Sequence, residues 1–277
     1  VSDAVWWTVA WRNLWRNRTR TLITASALAF GYLAAVVMVG LTDGMAAELV
    51  ENGTRLLIGQ VQVHADDYLP ERNMYRTIGG RQGTDVDALV DRIDSHPDVV
   101  AASARLFGGG LLSSGDETKA ALLLGVDPDR ERRVSTLLSE LSDGRLPVAE
   151  AYEVLVGTEM ARQLDLSLGD EVVVVAPAAD GSMGNDLYTL VGIFETGSPG
   201  VDANFAILPL PDLQLLMAMG PDRVHEIVVT VTRPWDTPAI AASLEEELGG
   251  GAASVSVKPW TELRPELFEY VSLMDAA

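Results

Sequence analysis

The chain has no cysteine. That excludes disulfides, thiolate catalysis and cysteine-based metal sites, but it does not fix the compartment, because many exported domains also lack disulfides. The nucleotide and hydrolase signatures are missing too. No GxxxxGK[ST] run occurs, so ATP is not held here through a P-loop, and GxSxG, HExxH and GxGxxG are likewise absent. Positive charge is scarce beyond the first 42 positions: residues 43–277 hold 16 basic against 39 acidic side chains, a net charge of −23. Such a surface repels phosphate backbones and argues against nucleic acid as a partner. It suits an extracytoplasmic domain that stays soluble through its own charge.

What the chain does have is an uncharged stretch, residues 21–42, preceded by Arg12, Arg16, Arg18 and Arg20 and followed by Asp43. As a helix it is about 33 Å long, enough to cross a hydrocarbon core. Flanking arginines stay cytoplasmic, so residues 1–20 belong inside and residues 43–277 outside. A cleaved signal peptide is the rival reading. Signal h-regions are shorter, the apolar positions continue at Met45, Leu49, Leu56 and Leu57, and residues 44–46 match a cleavage site poorly. A retained transmembrane helix is expected.

Within the span Ala27, Gly31 and Ala35 recur every four residues, a smooth strip along which another membrane helix can pack. Ordinary alanine content in a membrane helix gives the same letters. Ahead of it, Trp7, Trp11 and Trp15 fall on one helical face while Arg12 and Arg16 point elsewhere. This is the pattern of an amphipathic helix over residues 1–20 lying on membrane lipid, or more simply of a juxtamembrane aromatic belt.

In the outer part, two stretches share a strand–helix–strand outline: 60–64, 86–93 and 99–107, then 226–232, 237–248 and 254–258. Together they predict one sheet with two helices on a face. The chain between them is richer in strands, at 119–126, 153–156, 171–176 and 187–194, with a hairpin turn at 178–185. Thr158 reads as the cap of a short helix over 158–164, and 210–219 is another helix. Gly108–Gly110 reads as a flexible connection between the two parts. Residues 260–277 have helical spacing with no terminating signal, as in a chain cut short.

No catalytic, cofactor or metal site is expected. His64, His96 and His225 stand at element boundaries, where capping or surface roles are usual. Asp127, Asp129 and Glu131 are spaced like a calcium loop. Arg132 occupies the place of the glycine such a loop needs, so a solvated turn is expected.

The segment AWRNLWRNRTRT before the span resembles the start of FtsX/MacB-like permeases of ABC transporters. The run GRLP…EVLVGTEMARQLDLSLGDEVVVV…LYTLVGIFETGSPGVDANFAILPLPDLQLLM resembles the periplasmic core of that family, especially its lipoprotein-releasing (Lol-type) permeases. The resemblance covers essentially the whole chain. It implies an α+β fold: one transmembrane helix and an extracytoplasmic, ferredoxin-like "porter" part (about 58–110 and 222–259) carrying an inserted β-rich "sabre" part (about 111–221). Residues 260–277 then lead to a second membrane helix of four. It further implies a bacterial inner-membrane protein, itself no enzyme, that binds a cytoplasmic ABC ATPase subunit and a second permease subunit and acts on a lipoprotein or other periplasmic cargo. The alternatives are a division-type permease controlling a cell-wall hydrolase and a single-pass anchored enzyme. Lol-type permeases that recruit a chaperone carry a long hairpin hook, and the matching turn here is short, which speaks against chaperone recruitment.

Overall fold

Residues 18–55 contain no proline and form one long helix, α1 (Arg18–Arg55), despite the glycines at 31, 40, 44 and 53. Its Thr24 and Thr42 hydroxyls donate to the carbonyls of Arg20 and Met38, both at 3.0 Å, so neither is left unsatisfied in an apolar stretch. The part from Arg18 to Thr42 is long and apolar enough to cross a membrane. The structure, a computed structural model, describes residues 6–7, 11–12, 16–80, 84–249 and 255–275. It divides into two units, Val1–Val50 with Glu269–Ala277, and Glu51–Phe268.

Among the described residues the second unit holds all the strands. β1 (Val61–Ala65), α2 (Val86–Asp94) and β2 (Val99–Ser114) form one βαβ motif. Asp85 starts α2 by accepting from the Ala88 amide at 3.0 Å, and Val86, Val90 and Ile93 turn inward. The second motif is β9 (Glu226–Val231), α7 (Thr237–Gly249) and β10 (Val255–Pro259). The four strands lie in the order β10-β1-β9-β2 with every neighbour antiparallel, a ferredoxin-like sheet. Both helices cover one face, where Val63, Ile93, Ile227, Val229, Ile240 and Leu244 share a core.

Between the motifs run β3 (Glu117–Val126), α3 (Pro128–Val134), β4 (Leu141–Gly144), β5 (Glu153–Gly157), α4 (Thr158–Gln163) and β6 (Glu171–Pro177). They are followed by β7 (Met183–Phe194), α5 (Pro199–Asn204), β8 (Phe205–Pro209) and α6 (Leu210–Leu216). Pairing runs β2-β3-β8-β5-β7-β6 and back to β2, which closes a six-stranded barrel. Closure removes the exposed strand edges of an open sheet. Leu112, Leu123, Val156, Val174, Leu190 and Leu208 fill its interior. β2 belongs to both parts: its first half pairs with β9 and its second with β6. The chain closes with α8 (Trp260–Leu263) and α9 (Pro265–Asp275). Trp260 is fully buried, donates its indole N–H to the Pro234 carbonyl at 2.9 Å, and meets Trp235 and Phe268 edge-on.

The α+β class with one apolar helix is borne out, and the strand-rich middle is a closed barrel. Several local expectations need correction. Gly108–Gly110 is no flexible connection but lies inside β2, in register with Leu123, Leu122 and Ala121. Thr158 does not cap α4; its hydroxyl donates to the Phe194 carbonyl and Gly157 stands at the cap. The hairpin turn expected at 178–185 is present, over 178–182 between β6 and β7, where Asp180 accepts from the Ser182 amide and hydroxyl and Gly181 takes φ +86°.

Candidate functional site

Two places are candidates. The first is the membrane helix. Ala27, Gly31 and Ala35 lie on α1 with their surfaces exposed, and a Cβ added at Gly31 meets nothing within 4 Å. Trp7 and Trp11 are helical and 78% and 64% exposed, and Arg12 and Arg16 are exposed as well. Trp15 lies outside the described residues.

The second place leaves little trace in the sequence. Strand alternation turns Val61 and Val63 toward the two helices and Gln62 and His64 to the opposite face of the sheet. By the same alternation Glu226 on β9 and Ser103 and Arg105 on β2 face that second side, which is also buried. Register places His64 beside Glu226 and Glu226 beside Arg105, one polar row across three strands. Helix α3 covers the row. Asp127 caps it through the Asp129 and Arg130 amides, at 2.9 and 3.2 Å, and Glu131 comes down from its first turn.

Arg105 is completely buried and meets Glu131 through two bonds, Nη2 to Oε1 at 2.5 Å and Nε to Oε2 at 3.2 Å. The Ser103 hydroxyl adds a third bond to Glu131 at 2.9 Å. Glu226 Oε1 stands 3.6 Å from Arg105 Nη1, which also donates to the Leu57 carbonyl. That carbonyl belongs to the chain just leaving α1. The adjoining turn is held likewise: the Ser135 hydroxyl donates to Leu56 O and the Thr136 amide to Arg55 O, both at 3.0 Å. Gly59 follows at φ +76°, where a Cβ would lie 2.1 Å from Val228.

This joint ties the end of α1, the back of the sheet and α3 to one guanidinium. Burial opposes charge on Arg105, yet Glu131 and Glu226 together raise its pKa above the ordinary value. Burial pushes Glu226 up to about 7 despite Arg105 and Arg72, and Glu131 adds repulsion. His64 is pushed down to about 4, mainly by burial and next by Arg72 and Lys258. Gln62 Oε1, both His64 ring nitrogens and Glu226 Oε2 have no hydrogen-bond partner among the described residues.

The joint corrects two expectations. Glu131 is not on a solvated turn but buried in an ion pair. The three histidines are buried rather than at the surface: His64 and His225 are 1% and 2% exposed, and His96 lies against Ser243 at 3.2 Å, although the expected capping role holds for His96, whose Nδ1 accepts from the Asp98 amide at 3.2 Å. The one available signal was the charged residue set inside each apolar strand, Arg105 between Ala104 and Leu106, and Glu226 opening EIVVTV.

Residues 21–247 match the family model of the MacB-like periplasmic core domain. The chain is 23% identical over 262 residues to the lipoprotein-releasing system transmembrane protein LolC of Neisseria meningitidis, covering 91% of this chain and 59% of that protein. Against LolC of Xylella fastidiosa it is 27% identical over 182 residues, 63% of this chain and 43% of the relative. It thus spans about half the length of these relatives. The crystal structure of the periplasmic region of MacB from Actinobacillus actinomycetemcomitans superposes with a TM-score of 0.55 over 79% of this chain and 97% of that one. At 13% identity this likeness is one of fold. An apolar helix followed by a core of this fold is the topology of an inner-membrane protein whose core lies in the periplasm. The chain belongs to the family of the MacB-like periplasmic core domain.

Proposed function

We propose that this chain forms part of the permease subunit of an ABC transporter and that it serves lipoprotein release. The family match carries the reading, because it runs from the first apolar helix through the core. The relatives named for lipoprotein release align over most of the chain and support the finer step. A cytoplasmic ATPase supplies the ATP chemistry, in keeping with the absence of a P-loop here. A second permease subunit packs on the strip of Ala27, Gly31 and Ala35, while Trp7, Trp11 and Trp15 hold residues 1–20 at the lipid surface with Arg12 and Arg16 in water. Residues 58–110 and 222–259 serve as the porter, 111–221 as the sabre and 260–277 as the return toward the membrane.

In this reading the Arg105 joint is where the displacement of the first helix enters the core. Its bonds to the Leu57 carbonyl and to Glu131 engage the chain leaving α1 and the sheet at once.

Depleting the protein is expected to leave lipoproteins in the inner membrane. Chaining cells with normal lipoprotein sorting would instead point to control of a cell-wall hydrolase. Gly31→Leu, which fills the smooth strip, should lower recovery of the assembled permease several-fold on size exclusion in detergent; unchanged recovery would remove the strip from the interface.

A further inference from the structure

A groove of about 330 Å³ lies on the core domain where β2 leaves one strand partner before gaining the next. β2 pairs with β9 as far as Arg105 and with β6 only from Leu111, so neither covers its edge from Leu106 to Gly110. Pro177 ends β6 just past the last pair, Val175, and has no N–H with which to extend the ladder. Gly109 leaves the floor open, since a Cβ there would meet nothing within 4 Å.

The opposite wall is the described stretch after β1, residues 66–80, and it is held by hydrogen bonds and stacking. His225 accepts from the Phe107 amide at 3.0 Å through Nδ1 and donates from Nε2 to the Met74 carbonyl at 3.0 Å. Tyr68 stacks on that imidazole, centroids 5.5 Å apart and planes 14° apart. Arg223 Nε reaches Thr77 Oγ1 at 3.0 Å, and Ile78 bridges to Val224. A groove with pinned walls carries little ordering cost on binding.

Its walls are apolar. Met74, Phe107, Leu122, Phe205 and Met217 line it, and Leu122 is 48% exposed. Arg72 is the one permanently charged side chain among the lining residues. It has no ion pair among the described residues, whereas nearby Arg76 is paired with Asp67. In a domain where acids outnumber bases more than two to one, a guanidinium left over an apolar slot is complementary to an anion carrying a hydrocarbon tail.

We infer that this groove binds an amphipathic anion, with an alkyl chain along Phe107, Gly109 and Leu122 and a carboxylate or phosphate head on Arg72. The site does not depend on the permease reading, and it meets the Arg105 joint only through Arg72, whose charge also acts on Glu226 and His64.

The test uses the whole chain in phosphatidylcholine nanodiscs and a photoreactive dodecanoate, with the labelled residues mapped by mass spectrometry. Labelling is expected to saturate, to fall on peptides holding Met74, Phe107 or Leu122, and to be displaced by dodecanoate or dodecyl phosphate. The better of these competitors tells a fatty-acid source from a phospholipid-like one. Dodecyltrimethylammonium should compete at least tenfold less well. Arg72→Asn keeps a residue that tolerates φ +49° and should weaken the carboxylate probe about tenfold without changing competition by dodecanol. Gly109→Leu sets its Cβ in open space, fills the floor with its branched end and should abolish labelling. Equal competition by the cationic amphiphile, or undiminished labelling in Gly109→Leu, would overturn the assignment. Should Gly109→Leu fail to fold, the head-group preference lost in Arg72→Asn still decides it.

Discussion

Replacing Arg105 with methionine is expected to lower the stability of the core domain by about 3–5 kcal/mol, the cost of stranding buried charge. Glu131 loses two hydrogen bonds and Glu226 its nearest cation, with both side chains inaccessible to water. Against a total of about 5–15 kcal/mol this is a severe loss, visible as a drop in melting temperature and rapid proteolysis between β1 and β9. The companion variant separates charge from packing. Arg105→Met combined with Glu131→Leu and Glu226→Met removes the whole ionic cluster, and such replacements are often neutral or stabilising. The triple variant should therefore recover most of the loss. If the single variant melted within about 1 kcal/mol of the parent, the cluster would not hold the joint together.

The second large effect is one of pH, and in the parent protein it is concealed. Glu226 titrates at about 7 when folded, above its unfolded value, so its share of stability is present below about pH 4.5 and is lost as pH rises to 7. His64 titrates at about 4, below its unfolded value, so its share is present above about pH 6.5 and is lost as pH falls to 4. Each amounts to about 3 kcal/mol, in overlapping windows and with opposite slopes. His225, also lowered by burial, adds to the His64 side; Asp212, also raised by burial, adds to the Glu226 side. In the parent the two slopes oppose each other between pH 4.5 and 6.5. Glu226→Gln should then lose stability on acidification, and His64→Phe on alkalinisation. Denaturant titrations at pH 4.5, 5.5 and 6.5 check this, and variant profiles parallel to the parent would show that neither group is coupled to folding.

How much of this could be read in advance depended on the range of the interactions. The span is a local property of composition, and residues 21–42 fall inside the apolar part of α1. The two βαβ outlines are legible because each rests on its own periodicity, as with Val86, Val90 and Ile93 on α2. Barrel closure is not. It needs β2 to meet β6 some sixty positions away, and the segment carrying β2 there holds three consecutive glycines that locally signal a loop. β4 and β8 escaped for a simpler reason: β4 has a single apolar residue in four, and β8 is a continuous apolar run that passes straight into α6 with no turn between.

The joint failed to show for a related reason. Ser103 and Arg105 alternate with alanines as a solvent-facing row would, and only α3 and the turn after α1 convert that face into an interior. The order of Glu131 after Asp127 and Asp129 suggested one acidic turn. The cap of α3 divides them, leaving Asp127 on the backbone amides and Glu131 in the core. Local rules thus gave the architecture of each segment, while the polar row required knowing which segments cover each other.

The account rests most heavily on the claim that this chain works as the permease partner of an ATPase. The direct measurement is purification of the protein, expressed from its whole reading frame at native levels, in mild detergent with and without prior cross-linking. The account predicts that an ABC ATPase with an intact P-loop is recovered with it in stoichiometric amount and hydrolyses ATP in the complex. A folded, monodisperse protein recovered from both preparations with no ATPase attached would contradict it.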